Sequence, residues 1–364
     1  DRQMGDWLMT ATYLHSDQEE ALYKIIDGSP LNGDQPLTPT LKAPDGRPIY
    51  NQEGPRGTYK GGLYNQGGGE RDILSVAFSR YFNDGDSSLS FGYTHQDINE
   101  LSGMASTTAN SSYGKYAASD FNNRTAGRSI YETEHRFFAT LSSTQYFLGA
   151  DKPTTFNLFF ERKSGLPGTY TWDTFERSQS RYQTRAFGYE NNLNDDSAHL
   201  LYIPSGITDP NVCWGSCTGP ADLAVAAEVL DLLYNTLGLQ GYAGQILPTG
   251  VFEYPWQTTL DLKITQILPG FRAEDEFVIS LGIENLLNLI DSDKGEIRYG
   301  SYTGTVDVLD MQMNDDFTKY IYPRSRGGAD YAFRFNPSNP KEIRKSAVNS
   351  IWRAQLGFTY KFSF

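Results

Sequence analysis

The feature that most constrains this chain is its last stretch, residues 350–364. The even positions Trp352, Ala354, Leu356, Phe358, Tyr360, Phe362 and Phe364 are all apolar or aromatic, whereas Arg353, Gln355, Gly357, Thr359, Lys361 and Ser363 are polar or small. Alternate side chains of a strand point to opposite faces, so this pattern reads as one strand with an apolar face and a polar face. It exceeds the roughly 9–11 residues with which a tilted strand crosses a bilayer. A strand of a soluble sandwich can alternate in the same way, but it rarely runs so long or ends on aromatic tips.

The rest of the chain decides between those two readings. No window of its 364 residues approaches 18 consecutive apolar residues, which excludes membrane-spanning helices. A mean hydropathy of −0.50 does not exclude a membrane barrel, because half of each barrel strand faces a polar lumen and the loops are hydrophilic. The net charge of −13 argues against a nucleic-acid partner, whose phosphates it would repel.

Segments alternating with period two recur along the chain. They include Trp7–Tyr13, Leu74–Ser79, Leu89–Thr94, His135–Leu141, Phe156–Glu161, Leu260–Thr265 and Phe277–Glu284. Short turn-like connections join some of them, such as Asn83-Asp84-Gly85-Asp86 with hairpin chemistry, the stretch Leu148–Pro153, and Pro269-Gly270. Long polar segments join the others, at about 27–69, 97–130, 165–255 and 291–349. About eight strands linked alternately by a long loop and a short turn is the pattern of an outer-membrane barrel, with turns on the periplasmic side and loops outside. The expected fold is therefore all-β, an antiparallel transmembrane β-barrel with long extracellular loops. One helix is expected inside the longest loop, from Pro220 to Gly238, with Leu223, Ala226, Ala227, Leu230, Leu233, Tyr234 and Leu237 on its apolar side.

Two motifs carry a resemblance. Ile279–Asn288, ending in Asn285-Leu286-Leu287-Asn288, resembles the penultimate-strand signature of TonB-dependent receptors, and the closing Phe364 resembles their C-terminal assembly signal. The segments Glu161–Thr171, Leu200–Pro204, Arg324–Gly328 and Trp352–Gly357 are similar to the Oar-like branch of that family. The resemblance implies a 22-stranded barrel of which this chain supplies the last eight strands. It also implies a plug domain, a TonB box and N-terminal domains lying outside this sequence. The polar opening Asp1–Asp6, which has no signal peptide, agrees with that expectation. The implied function is capture of a large or scarce ligand by the outer loops and its import with TonB-coupled energy. An adhesion or export-assembly barrel of the Oar-like type is the alternative. A stand-alone eight-stranded barrel is another, although its side-chain-filled interior would leave the long loops over a pore too small to use. The implied location is the outer membrane of a Gram-negative bacterium, with the lipid bilayer, the barrel-insertion machinery, the TonB complex and the remaining barrel and plug as partners.

Candidate sites are few. The four histidines His15, His95, His135 and His199 sit in no His-Glu-x-x-His motif, no Gly-x-Ser-x-Gly or phosphate loop is present, and no enzyme is expected. No cofactor is expected either, except that Asp291, Asp293 and Glu296, or Asn192, Asn194, Asp195 and Asp196, offer calcium-type donors. Both clusters also read as solvated turns. Cys213 and Cys217 lack further zinc ligands nearby and read as a local disulfide, which implies an oxidising compartment. Phe358, Tyr360, Phe362 and Phe364 form the assembly signal. Glu284, Arg353, Lys361, Asp261 and Lys263 are expected to face the lumen. Tyr59, Tyr64, Trp172, Trp214, Tyr302, Tyr320 and Tyr322 suit either capture of an extracellular peptide or glycan or packing among the loops.

Overall fold

The computed structural model describes residues 1–19, 21–27, 41–49, 60–101, 116–120, 123–173, 199–272, 274–301, 303–310, 312–314, 316–322 and 341–362. The fold is mostly β. Its main sheet contains β1 (Arg2–Met4), β2 (Trp7–Gln18), β3 (Gly69–Phe82), β4 (Ser87–Glu100), β5 (His135–Gln145), β6 (Thr154–Lys163), β7 (Gln257–Pro269), β8 (Glu276–Glu284) and β9 (Arg353–Lys361). Each of these nine strands pairs with the next in this order, always antiparallel, and a tenth, two-residue strand, Gly127–Arg128, pairs with the end of β4. Among the described residues the ladder does not return from β9 to β1, so the sheet has two open edges and the closed stand-alone barrel is not formed.

Local chemistry explains the short connections. Gly5 takes a positive φ of 63° in the two-residue turn that pairs Met4 with Trp7. Asn83 and Asp84, both at φ 54°, and Gly85 at φ 96° make the tight turn between β3 and β4, where residues that tolerate the left-handed region are needed. The periodicity missed β1, which is only three residues long. It also missed a ribbon outside the sheet in which Ala21–Asp27 pairs with Lys60–Gln66 and prolongs the β2–β3 hairpin into the first long connection.

The register assigns every strand residue to a face, because directly paired residues share one. Ala354, Ile283 and Leu262 align across β9, β8 and β7, as do Leu356, Leu281, Ile264 and Phe156 across β9 to β6. The same face continues through Leu141 and Leu89, through Phe137, Tyr93, Val76 and Ala11, and through Phe91, Phe78 and Met9. It forms a continuous apolar band. The opposite face carries mainly Ser, Thr, Gly, Asn and charged residues, among them Thr10, Ser75, Ser90, Thr140, Asn157, Lys263, Gly282 and Gln355. Phe138 is an exception that lies across its pair partner Gly92, where a Cβ would sit 2.6 Å from the ring. A depression of about 390 Å³ spans β4 to β8 on this polar face, so the sheet is concave toward it.

The packed core lies elsewhere. No side chain of β1–β9 belongs to the buried hydrophobic cluster, which draws instead on all four long connections. Ala43 and Ile49 come from the first and Ala118 from the second. Residues from Tyr170 to Tyr254 come from the third, and Val306, Val308, Leu309, Tyr320 and Tyr322 from the fourth. We refer to this body as the cap. At its centre the strand Pro167–Asp173 runs parallel to Thr305–Asp310 and antiparallel to His199–Leu200 and Phe252–Glu253. The strand Val212–Trp214 pairs in parallel with Tyr320–Tyr322.

The expected helix is present as α1 (Leu223–Leu230), continued by one wider π-helical stretch, Asp231–Thr236. Asp222 caps it by accepting from the amides of Ala224 and Val225 at 3.1 and 3.2 Å. Its buried stripe is Val225, Ala226, Val229, Leu232 and Leu233. Leu223, expected inside, is instead 63% exposed in the first turn.

Candidate ligand cleft and polar sheet face

Between the cap and the long-loop end of the sheet lies a cleft of about 540 Å³. Its walls come from the end of the connection leading into β5 (Ile130, Tyr131), the turn into the central cap strand (Leu166, Pro167), Tyr254 and Gln257 before and in β7, and the fourth long connection (Arg298–Ser301, Asp307, Glu342, Arg344). The last of these is held by a two-strand ribbon in which Arg298 pairs with Lys345 and Tyr299 with Arg344.

Charges around the cleft are paired. Glu296 accepts from Arg298 Nη2 at 2.6 Å and is also bonded by Lys345 Nζ; Lys345 first, then Arg298, holds its carboxyl below the usual range. Asp307 Oδ1 accepts from the Thr171 hydroxyl at 2.6 Å. Burial, reinforced by the Glu342 carboxylate, pushes the Tyr254 hydroxyl up to about 12, so it is neutral at ordinary pH. The rings of Tyr131 and Tyr299, 54% and 46% exposed, flank the opening. Solvent-facing rings thus stand beside a wall of hydroxyls and paired charges.

The five residues expected on the lumen side share one face. Arg353 pairs directly with Glu284, with Nε 3.1 Å from Oε2, and Lys361 lies 3.0 Å from Glu276 across the same ladder. Lys263 aligns with Gly282, and both Lys263 and Asp261 border the depression. Asp261 also accepts from the amide of Asn285 at 2.8 Å. That bond gives the Asn285–Asn288 box a physical content. Asn285 ends β8 at φ 54°, a left-handed conformation asparagine tolerates, and its side chain donates to Gly295 O at 2.8 Å. Within the one-turn helix α2 (Leu286–Ile290), Asn288 donates to Ser292 O and Lys294 O and accepts from the amide of Trp352 at 3.3 Å, tying the end of β8 to the start of β9.

Phe358 and Tyr360 face the apolar side. The Tyr360 hydroxyl reaches Asp275 Oδ2 at 2.5 Å, and its ring lies 5.6 Å from Phe271 in the β7–β8 turn and 6.5 Å from Phe362. Phe364 lies outside the described residues. Cys213 and Cys217 form the disulfide.

The acidic turn does not gather its carboxylates. Asp291 accepts from the Asp293 amide and lies 3.4 Å from Lys294, while Glu296 is occupied by two cations. Residues 192–196 lie outside the described residues, as do Tyr59 and Tyr302, and the Tyr64 side chain is not described. The loop aromatics that are described are packing anchors. Trp172 sits between Tyr320 and Tyr322 at 5.7 and 5.5 Å, Trp214 stacks on Tyr322 at 5.3 Å, and all four are fully buried.

Sequence reasoning missed two polar centres. Arg47 is buried and joins Asp45 at 2.6 Å, Leu200 O at 2.8 Å and the Tyr320 hydroxyl at 3.2 Å. Arg128 is shared by Glu132, Glu134 and Glu253 at 2.6, 2.6 and 2.7 Å. Burial raises the Glu253 carboxyl, but the Arg128 guanidinium outweighs it and holds the group below its usual range; Glu134, bonded to Glu253, is held above it. The near partners Asp45, Glu132 and Glu134 read as ordinary loop charges, and the groups that close each centre, Leu200 and Tyr320 for Arg47 and Glu253 for Arg128, lie far away in the chain.

No protein-family model matches the chain, and no curated protein does.

Proposed function

We propose that this chain is a wall-and-mouth section of an outer-membrane β-barrel of the TonB-dependent, Oar-like receptor type. One observation carries the membrane part: a sequential antiparallel sheet with a continuous apolar face that contributes nothing to the packed core, while the core is gathered at one end, in the long connections. A soluble sandwich buries its apolar faces against one another. Here Leu356 and Phe358 remain 59% and 62% exposed.

Aromatic rings border the apolar band at both ends, as barrel strands require at the two lipid interfaces. Trp7, Phe147, Phe271 and Tyr360 stand near the short turns, and Tyr13, Trp256 and Trp352 near the cap. The step from Trp352 to Tyr360 covers roughly 26 Å at about 3.3 Å per residue, which suits a tilted crossing of the apolar layer. The open edges of β1 and β9 are ready to pair with further strands, as the larger barrel requires. On this reading the concave polar face lines the lumen, where Glu284, Arg353, Asp261, Lys263 and Lys361 meet a plug or its permeation path. The cap is then extracellular, and its cleft takes a peptide or glycan segment of the ligand. Coupling to TonB rests on the resemblance of the Asn285–Asn288 box and the terminal strand.

The full-length protein is expected to stay in the membrane fraction until detergent is added and to migrate differently on gels before and after heating. Recovery without detergent as a soluble protein of unchanged migration rejects the barrel. Ligand uptake that persists after collapse of the proton gradient rejects the TonB-coupled role while leaving the barrel standing.

A further inference from the structure

Where β4 and β5 meet the cap, two histidines and a glutamate converge. Ring nitrogens of His95 and His135 and a carboxylate oxygen of Glu134 all lie within 4.8 Å of one another, on half-buried side chains. His95 and His135 are direct partners in the β4–β5 ladder, and their rings stack at 5.2 Å.

The surroundings fix His95 in the form a metal needs and allow that form in His135. His95 Nδ1 is 3.1 Å from the main-chain oxygen of Glu134. A carbonyl only accepts, so Nδ1 carries the proton and the Nε2 lone pair is open. His135 Nδ1 is 2.8 Å from the Tyr93 hydroxyl, which donates or accepts equally well; when it accepts, the Nε2 lone pair of His135 is open too. His135 Nε2 and Glu134 Oε1 are already 3.3 Å apart. That is about the edge of a tetrahedron, roughly 3.3 Å, built on zinc bonds of about 2.0–2.1 Å.

Charge favours a dication at this place. Arg128 binds the other oxygen of Glu134 and is shared with Glu132 and Glu253. Together with Lys341, which donates to the main-chain oxygen of Glu253 at 3.0 Å, two cations stand against three carboxylates. Two imidazoles and a carboxylate suit a first-row transition metal, not calcium, which takes an all-oxygen shell. The other grouping of this kind among the described residues, His15 with Asp17 and Glu70, is exposed, and both ring nitrogens of His15 already face carboxylates, Asp72 at 2.9 Å and Asp17 at 3.3 Å.

We propose that His95, His135 and Glu134 form a binding site for a divalent transition-metal ion such as zinc, through the two Nε2 atoms and Glu134 Oε1, with the fourth position open to water or an incoming donor. The bound ion clamps the β4–β5 pair to the Glu134 segment where the sheet enters the cap. Tyr93 and the Glu134 carbonyl orient the rings, and Arg128 orients the carboxylate.

The test is zinc titration of the full-length protein in detergent, after removal of metal, against a competing chromophoric chelator. His95→Gln and His135→Gln are each expected to lose one zinc equivalent relative to the wild type, whereas His15→Gln keeps it. Cobalt loaded into the wild type should show the visible d–d bands of a four-coordinate site, absent from both variants. Equal zinc stoichiometry in the wild type and the two variants overturns the site. An independent reading uses the wild type alone, so that a folding defect cannot mimic the result: zinc should shield His95 and His135 together from diethyl pyrocarbonate, and undiminished modification of both overturns the proposal.

Discussion

The guanidinium of Arg47 lies 3.2 Å from the hydroxyl of Tyr320 and joins residues 273 positions apart. The same hydroxyl donates to Asp45 at 2.7 Å, which closes a buried triangle between the first and last long connections. Burial pushes the Tyr320 hydroxyl well above its ordinary range, so it stays protonated as a donor. A buried ion pair adds little net stability compared with apolar side chains, but half of one is costly because a lone charge remains in a poor solvent.

Arg47→Met is therefore expected to destabilise the cap by about 3–5 kcal/mol by stranding Asp45. Hydrogen exchange should accelerate at Tyr202–Ile203 and Tyr320–Tyr322 while the β5–β6 ladder stays protected. Adding Asp45→Leu to Arg47→Met should recover most of the loss. Unchanged exchange at Tyr320–Tyr322 in the single variant would contradict the coupling.

The two faces of the sheet give a paired test. Leu281 and Leu356 are partners on the apolar face, and Gly282 and Gln355 are partners on the other. In lipid, Leu356→Arg should cost about 2–4 kcal/mol, the range for a basic residue on a barrel's lipid face, whereas Gln355→Arg should be close to neutral. Urea titration of the refolded protein in vesicles measures both, and equal costs would remove the two-faced wall.

Trp172→Ala should cost about 3–5 kcal/mol, because its ring fills the space between Tyr320 and Tyr322. Replacing both Cys213 and Cys217 by serine should cost less, about 2 kcal/mol, because the closed loop is short. Proteolysis of the cap under graded denaturant ranks the two. A disulfide-free protein weaker than Trp172→Ala would mean that the cap depends on its crosslink more than on its aromatic centre.

Alkaline pH should loosen the cap. Burial pushes Tyr254 and Tyr202 up to about 12, against an unfolded value near 10. A group raised on folding contributes its full stability below the unfolded value and loses it as pH rises toward the folded one. Cap stability is thus expected to fall between about pH 10 and 12. Absorbance titration should show exposed tyrosines ionising first and a later cooperative step as the cap opens. A single transition near 10 for all tyrosines would refute it.

The sheet was legible in the sequence because its determinants are local. Side-chain parity needs only neighbours along one strand, and Asn83-Asp84-Gly85 specifies its turn without reference to anything distant. β1 escaped because three residues carry no period, and the 21–27/60–66 ribbon because Gly61 and Gly62 interrupt its alternation. The helix was found, but its buried side was displaced: Val225 and Val229 face the cap core, whereas Leu223 lies in the exposed first turn. The polar centres were illegible for a different reason. Nothing near Arg47 announces Tyr320, and nothing near His95 announces His135; such partners become neighbours only through strand pairing and loop packing.

The make-up of the cap core has a consequence for biosynthesis. The β3–β4 hairpin can close as soon as both strands have emerged, because its loop is a few residues long. Trp172 and Trp214 must wait for Tyr320 and Tyr322, more than a hundred residues later in translation. Contacts of such sequence separation form slowly. Until the last connection arrives, the nascent third connection presents bulky rings without their mates, and such surfaces aggregate. Completion of the cap core therefore waits on Thr305–Asp310 and Tyr320–Tyr322, the last in chain order of the segments that build it among the described residues.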